Sequence, residues 1–239
     1  MAFVNQLLRA ASDDVQALIE AEMKPVSLPF RSVLVEAGSP MDHIYFLEDG
    51  LISLVSEYEP SRLIEVGMIG REGFFDPGLL LQEEVAIFKG TVQAEGSASA
   101  VPIDVWRHLV DANTDFRLLM MKFARAFELQ IASTASANGR AKLEERLARW
   151  LLMVHDRVDS LMLHITHDFL AQMLCTRRPG VTVALHLLEG KGLITSTRGL
   201  IEIRDRQGLI EEASGAYGKA EENYARLLGY DFRPSEMTP

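Results

Sequence analysis

The sequence predicts an α+β fold, an antiparallel β structure in its first half followed by helices. Three observations carry this. From about residue 25 to 103, short apolar stretches (SVLVEAG, HIYFLEDG, LISLVSEY, RLIEVGMIG, AIFKGTVQAEG) recur between turn residues at the spacing of compact antiparallel β structure. From 104 onward the apolar period lengthens to that of helices. The composition, 48% hydrophobic and 24% charged, is that of a chain that folds. At 239 residues there is room for two ordinary domains.

Composition also excludes. No apolar run approaches the roughly 20 residues needed to cross a bilayer, and the start, MAFVNQLLRAASDD, lacks a basic leader followed by an apolar block, so a cytoplasmic protein with no membrane partner is expected. The single cysteine, Cys175, rules out an intramolecular disulfide, a four-cysteine zinc site and a four-thiolate iron–sulfur cluster. The net charge of -10 is unevenly distributed. Residues 1–139 hold 10 Lys and Arg against 20 Asp and Glu, whereas residues 140–206 hold 11 against 8. Positive charge is therefore concentrated between residues 140 and 206, where a polyanion would bind if one binds at all.

Taken in order, residues 12–23 (SDDVQALIEAEM) read as a short helix whose first turn is acidic, as the helix dipole favours. Residues up to 115 read as an N-terminal antiparallel β-roll, jelly-roll-like. Residues 116–139 read as a long helix. On it Phe116, Met120, Phe123, Phe127, Gln130, Thr134 and Ala137 alternate at spacings of 4 and 3, the pattern of a coiled-coil seam. The stripe also suits an amphipathic helix packed on its own domain, but polar Gln130 and Thr134 within the seam favour a contact between two helices, so a homodimer through this helix is expected. Asn138-Gly139 is a break, and Leu143, Leu147, Trp150, Leu151 and Val154 make the apolar stripe of the next helix. Residues 140–206 form the second domain, and 207–239 an acidic helical tail to which only a packing or partner role can be given.

Within that second domain, ITHDFLAQMLCTRRPGVTVALH (165–186) has the pattern of two helices joined by a tight turn. Thr166 can cap the first, with Ile165 and Leu170 placed as a hydrophobic staple. Val181, Ala184, Leu185 and Leu188 turn the apolar face of the second helix inward. That leaves Arg177, Arg178, Thr182, Val183 and His186 outward or at the exposed N-terminal end, where a recognition helix presents groups to the major groove. Arginine suits this place because its planar fork donates two parallel bonds to guanine or phosphate. Pro179 costs little in a first turn, and Gly180 would let backbone approach a phosphate. LEGKGLITSTRGLIEIRD then reads as a helix stop at Gly192 and a β-hairpin with Thr197 and Arg198 at its tip, a wing. Thr166, His167 and Arg198 would position the domain on phosphates.

Competing chemistries are weaker. His155, His164 and His167 lack a cysteine or carboxylate ligand at recognisable spacing, so no metal is expected. Only His43 lies in the β region, short of a metal-bearing β-barrel enzyme. There is no Gly-x-Ser-x-Gly elbow or phosphate-cradling loop. Cys175 has no evident base partner and reads as a small buried turn residue. No enzymatic activity is expected. The alternative is a regulatory module that binds a small ligand or a protein without touching DNA.

The β-rich first half, the seam helix, ERLARWLL, ITHDFLAQML, RRPGVTVAL and LEGKGLI, in this order, resemble the Crp/Fnr family of bacterial transcription regulators over roughly residues 15–206. The resemblance implies a cyclic-nucleotide-binding-like roll, a dimerisation helix, and a winged helix-turn-helix that reads a pseudo-palindromic DNA operator, with RNA polymerase as a candidate partner. Members that bind cyclic AMP hold its phosphate with a Gly-Glu stretch and an Arg-Ser pair. Here GREGFFDPGLLL and IFKGTVQAEG take those places, Phe88 stands where the arginine would be, and there is no Arg-Ser pair, so control by cyclic AMP is not expected. The oxygen-sensing branch needs cysteines this chain lacks. No cofactor or effector is named by the sequence.

Overall fold

The computed structural model describes residues 3–59, 62–158, 162–197 and 199–233. In the first half, β1 (Lys24–Leu28), β2 (Val33–Val35), β3 (His43–Glu59), β4 (Arg62–Ile69) and β5 (Lys89–Pro102) form a five-stranded antiparallel sheet in the order β1-β5-β3-β4, with β2 also on β5. HIYFLEDG and LISLVSEY, separate stretches in the sequence, are one 17-residue strand. Register shifts at Leu47/Asp49, Asp49/Leu51 and Leu51/Ile52 bend it, because each extra residue locally disrupts the ladder and increases twist. Gly50 sits in this bend at φ +84, and a Cβ there would lie 2.6 Å from the Ala94 carbonyl oxygen. The bent β3 and β5 roll the sheet around Ile44, Phe46, Ile52, Leu54, Phe74, Phe75 and Val92, all fully buried. Two short helices, α1 (Gln6–Ala10) and α2 (Asp13–Glu22), precede it. Asn5 caps α1 by accepting from the Leu7 and Leu8 N–H groups, and its amide donates to the carbonyls of Leu47 and Gly73, pinning the chain start to the roll.

After α3 (Ile103–Ala112), Asn113 caps α4 (Thr114–Arg140), a 27-residue helix about 40 Å long. Its seam corrects the sequence reading. Phe116, Met120, Phe123, Phe127 and Gln130 are buried within the chain itself, so a second copy cannot reach them. Glycines in the roll make this fit: a Cβ on Gly73 would lie 2.2 Å from Phe123 Cζ, and one on Gly67 2.8 Å from Phe127 Cζ. Gln130 uses its amide as a surrogate strand, accepting from Met68 N–H at 2.8 Å and donating to the Met68 carbonyl at 3.1 Å. Thr134 is half-buried; its hydroxyl donates to the Gln130 carbonyl and accepts from Arg149 at 3.0 Å.

The second half comprises α5 (Leu143–His155), β6 (Met162–Leu163), α6 (His167–Met173), α7 (Arg178–Gly190), β7 (Ile194–Thr197), β8 (Leu200–Ile203), α8 (Arg206–Glu212) and α9 (Lys219–Leu228). Its core joins the inward faces of α5, α6 and α7 to Ile194, Ile201, Ile203 and Leu209. The acidic tail acquires a structural role: α8 packs on α5 and α9 on α4. Tyr224 and Phe232 thereby enter the core of the first half, while Tyr217 enters that of the second.

Candidate nucleic-acid interface

Thr166 caps α6, its hydroxyl accepting from the Phe169 N–H at 3.3 Å, and Ile165 and Leu170 lie in the same core. After α6 the chain reverses through Cys175 at φ +46, a left-handed conformation that glycine adopts without strain. The Thr176 N–H closes the turn on the Ala171 carbonyl at 2.8 Å. Cys175 is the turn residue the sequence indicates, but it is exposed rather than buried.

Arg177 is the cap position of α7 and Arg178 its first residue, which puts Pro179 in the first turn, where a missing donor is tolerated. Val181, Ala184, Leu185 and Leu188 are buried. Arg177, Arg178, Val183 (60% exposed) and His186 are outward, joined by Leu187 (46%). The sequence reading missed Leu187, although it stands one turn beyond Val183 on the same side. Arg178 Nε lies 3.4 Å from Asp168 Oδ1, with both side chains mostly exposed. Such a pair contributes about 0–1 kcal/mol, so the guanidinium can be given up to a stronger anion at little cost.

Two residues are placed differently from the simple outward reading. Thr182 is half-buried; its hydroxyl donates to the Arg178 carbonyl at 3.2 Å and meets His167 Nδ1 at 2.9 Å. Gly180 has a packing role, for a Cβ there would sit 3.1 Å from Leu143 Cδ2 of α5.

The hairpin β7–β8 is present, with Gly199 at φ +77 in its turn and Thr197 exposed at the tip. Arg198, assigned to the wing tip, lies outside the described residues. A third strand that the sequence reading missed, β6, pairs with β8 and gives the order β6-β8-β7. It is only two residues long, too short for alternation to reveal. Arg204 follows β8 and reaches back across the hairpin, Nε donating to Thr195 Oγ1 at 3.0 Å.

Behind this surface a buried polar joint ties it to the roll. Trp150 Nε1 of α5 donates to Glu65 Oε1 of β4 at 2.8 Å, and Ser53 donates to the other carboxylate oxygen. Arg157, just after α5, bonds Glu72 Oε1 at 2.7 Å, with both side chains 2% exposed. Arg206 pairs with Asp156 at 2.6 Å, and Tyr217 donates to the same carboxylate at 2.7 Å. Sequence reasoning singled out none of these groups for a structural role in the joint, since nothing in their spacing brings residues 65, 72, 150 and 157 together. The Tyr217 hydroxyl is shifted well above its ordinary range by burial and by the Asp156 charge.

A three-stranded sheet with a capped pair of helices, one presenting arginines at its exposed start, defines a winged helix-turn-helix. Comparisons with known proteins carry the assignment further. Residues 145–212 match the Crp-like helix-turn-helix domain. No curated protein sequence matches the chain. Among solved structures, the chain is similar to a CRP-family transcriptional regulator from Thermus thermophilus, with 19% identity over 82% of this chain and 99% of that one and a TM-score of 0.68. It is also similar to the c-di-GMP-responsive global regulator CLP of Xanthomonas campestris (15%, 80% and 99%, 0.67). The third is FixK2 of Bradyrhizobium japonicum (15%, 79% and 96%, 0.68). The chain thus carries a Crp-like helix-turn-helix domain over residues 145–212, and its fold is that of these regulator structures. Among the described residues, no helix is long and apolar enough to cross a membrane.

Proposed function

We propose that the chain is a cytoplasmic homodimeric regulator that reads a pseudo-palindromic operator through the start of α7 and is not controlled by cyclic AMP. The observation that carries the DNA reading is the two-sided character of α7, with Val181, Ala184, Leu185 and Leu188 buried and Arg177, Arg178, Val183 and His186 exposed on the side that includes its start. In this reading Arg177 and Arg178 contact bases or clamp phosphate, Val183 and Leu187 meet a thymine methyl, and Thr166, His167 and Arg198 orient the domain on the backbone. Thr182, already bonded to His167 and to the Arg178 carbonyl, holds His167 in place. Selection from random duplex DNA should return two related half-sites about one helical turn apart. Arg178→Ala should relax one position in each half-site, losing roughly 5- to 150-fold in discrimination, the equivalent of about 1–3 kcal/mol. Absence of any enriched sequence would favour the module that docks ligand or protein without DNA.

Dimerisation must use another face of α4 than the buried seam. Leu118, Met121, Arg125, Glu128, Ala132 and Ala135 alternate at spacings of 3 and 4 along the helix, and Leu118 and Met121 are 48% and 54% exposed. The Arg125–Glu128 pair lies within this ridge. Small Ala132 and Ala135 would let a second helix approach closely. Met121→Glu should convert a dimeric mass in sedimentation to a monomeric one without loss of helical signal.

Independence from cyclic AMP is supported by what fills the roll. Glu72, in the stretch that corresponds to the family's phosphate-binding Gly-Glu, is already bonded by Arg157. A Cβ on Gly90 would lie 2.6 Å from the Phe75 ring, so that part of the interior is packed with side chain. Added cyclic AMP should leave the melting temperature and the DNA affinity unchanged.

A further inference from the structure

Between the roll and the α5–α6 unit lies a cleft of about 560 Å³, within the roughly 300–1,000 Å³ typical of small-molecule sites. Its wall is apolar and partly aromatic. Leu51 and Ala94 come from the bent strands, Trp150 and Val154 from α5, and Leu163 and Phe169 from the winged unit. Trp150 is held at one edge by Glu65 and meets the Phe169 ring at a centroid distance of 6.2 Å and 64°. The bulge at Asp49–Leu51 shapes the opening, and Asp49 and Glu95 flank it from the two paired strands. Neither carboxylate has an ion-pair partner among the described residues; Asp49 only accepts from its neighbour's N–H, that of Gly50, at 2.7 Å. Among the described lining residues one guanidinium, that of Arg31, stands at the same opening, 5.0 Å above the Phe30 ring, and His164 also lines the cleft.

We propose that this cleft binds a planar aromatic cation. The aromatic wall favours a flat apolar body, and aromatic faces attract a cation by about 0.5–2 kcal/mol depending on desolvation. Two carboxylates against one guanidinium leave the opening net negative, which selects against an anion of equal size. A molecule seated here touches both the roll and α6, the helix on which α7 packs, so its occupancy bears on the reading unit without involving the DNA face itself.

The test uses the full chain and three probes: the planar cation berberine, the anion 1-anilinonaphthalene-8-sulfonate and the neutral dye Nile red. Berberine should bind at one per chain with micromolar affinity and quench Trp150 emission. The sequence has two tryptophans, and Trp150→Phe should remove that quenching while berberine's own emission still reports binding. Asp49→Asn combined with Glu95→Gln should weaken berberine by about tenfold or more and leave Nile red unchanged. Ala94→Trp should fill the cleft and abolish both. The proposal is overturned if the anion binds as tightly as berberine, or if the carboxylate pair can be neutralised without effect on berberine. Should Ala94→Trp fail to fold, the carboxylate variant, which alters only the cleft's mouth, decides alone. None of these readouts depends on whether the chain binds DNA.

Discussion

Arg157→Ala should lower the melting temperature by roughly 6–20 °C, from a loss of about 3–5 kcal/mol. The side chain is almost wholly inaccessible, pairs with Glu72, donates Nη1 to the Met153 carbonyl at 2.8 Å and lies 4.8 Å over the Phe232 ring. Its removal leaves the Glu72 carboxylate buried with, among the described residues, the Gly70 N–H at 3.0 Å to bond it. An uncompensated buried charge is the costly outcome, whereas replacing both members with apolar groups of similar volume is often nearly neutral. Arg157→Met with Glu72→Leu should therefore recover most of the loss. Thermal unfolding of the three proteins at one pH measures the loss and its recovery. A single variant as stable as the double would mean that the pair is not buried in solution.

Glu65→Gln should stabilise the protein above neutrality. Burial pushes the Glu65 carboxyl from 4.5 up to about 7, against the opposing pull of hydrogen bonds from Ser53 and Trp150 and the charges of Arg149 and Arg157. The folded state thus holds this proton more tightly than the unfolded state. The stability associated with it is fully present below about pH 4.5 and is lost as pH rises through about 7. The loss amounts to about 3 kcal/mol once the carboxyl is ionised. An amide at position 65 has no such dependence, and it can accept from Trp150 through its oxygen while donating to the Ser53 hydroxyl. The difference in unfolding free energy between wild type and variant should be flat below pH 4.5, change through about 7 and favour the variant at pH 8. A difference that does not vary with pH would place the carboxyl in contact with water.

Much of this arrangement was legible in the sequence, and what was not has physical causes. Local signals fixed the winged unit: a threonine cap at Thr166, a tight-turn residue at Cys175, a proline in the first turn of α7 and an inward stripe at Val181, Ala184, Leu185 and Leu188. The seam of α4 was visible as a pattern, but its destination was not. A run of Phe and Met at spacings of 4 and 3 buries equally well against another helix or against a β-roll. Gln130 deepened the ambiguity, since a polar residue in such a stripe suits a helix pair and equally suits a helix closing the edge of a sheet. The glycines at 67 and 73 held the missing information, because they clear space for Phe127 and Phe123. Only the folded chain reveals which ring each faces. The Trp150–Glu65 and Arg157–Glu72 contacts at the joint link residues 85 apart along the chain, and no periodicity reports contacts of that kind.

The placement of α9 bears on how the molecule is made. Tyr224 donates from its hydroxyl to the carbonyl of Glu72, 152 positions earlier, and Phe232 meets Tyr224 edge-on with ring centroids 4.5 Å apart. The roll and α4 emerge from the ribosome well before these last aromatics exist, by on the order of ten seconds at ordinary elongation rates. For that interval the flank of α4 around Phe123 and Phe127 is uncovered. The flank of α4 that meets Tyr224 is therefore completed only when the last stretch of the sequence has been made.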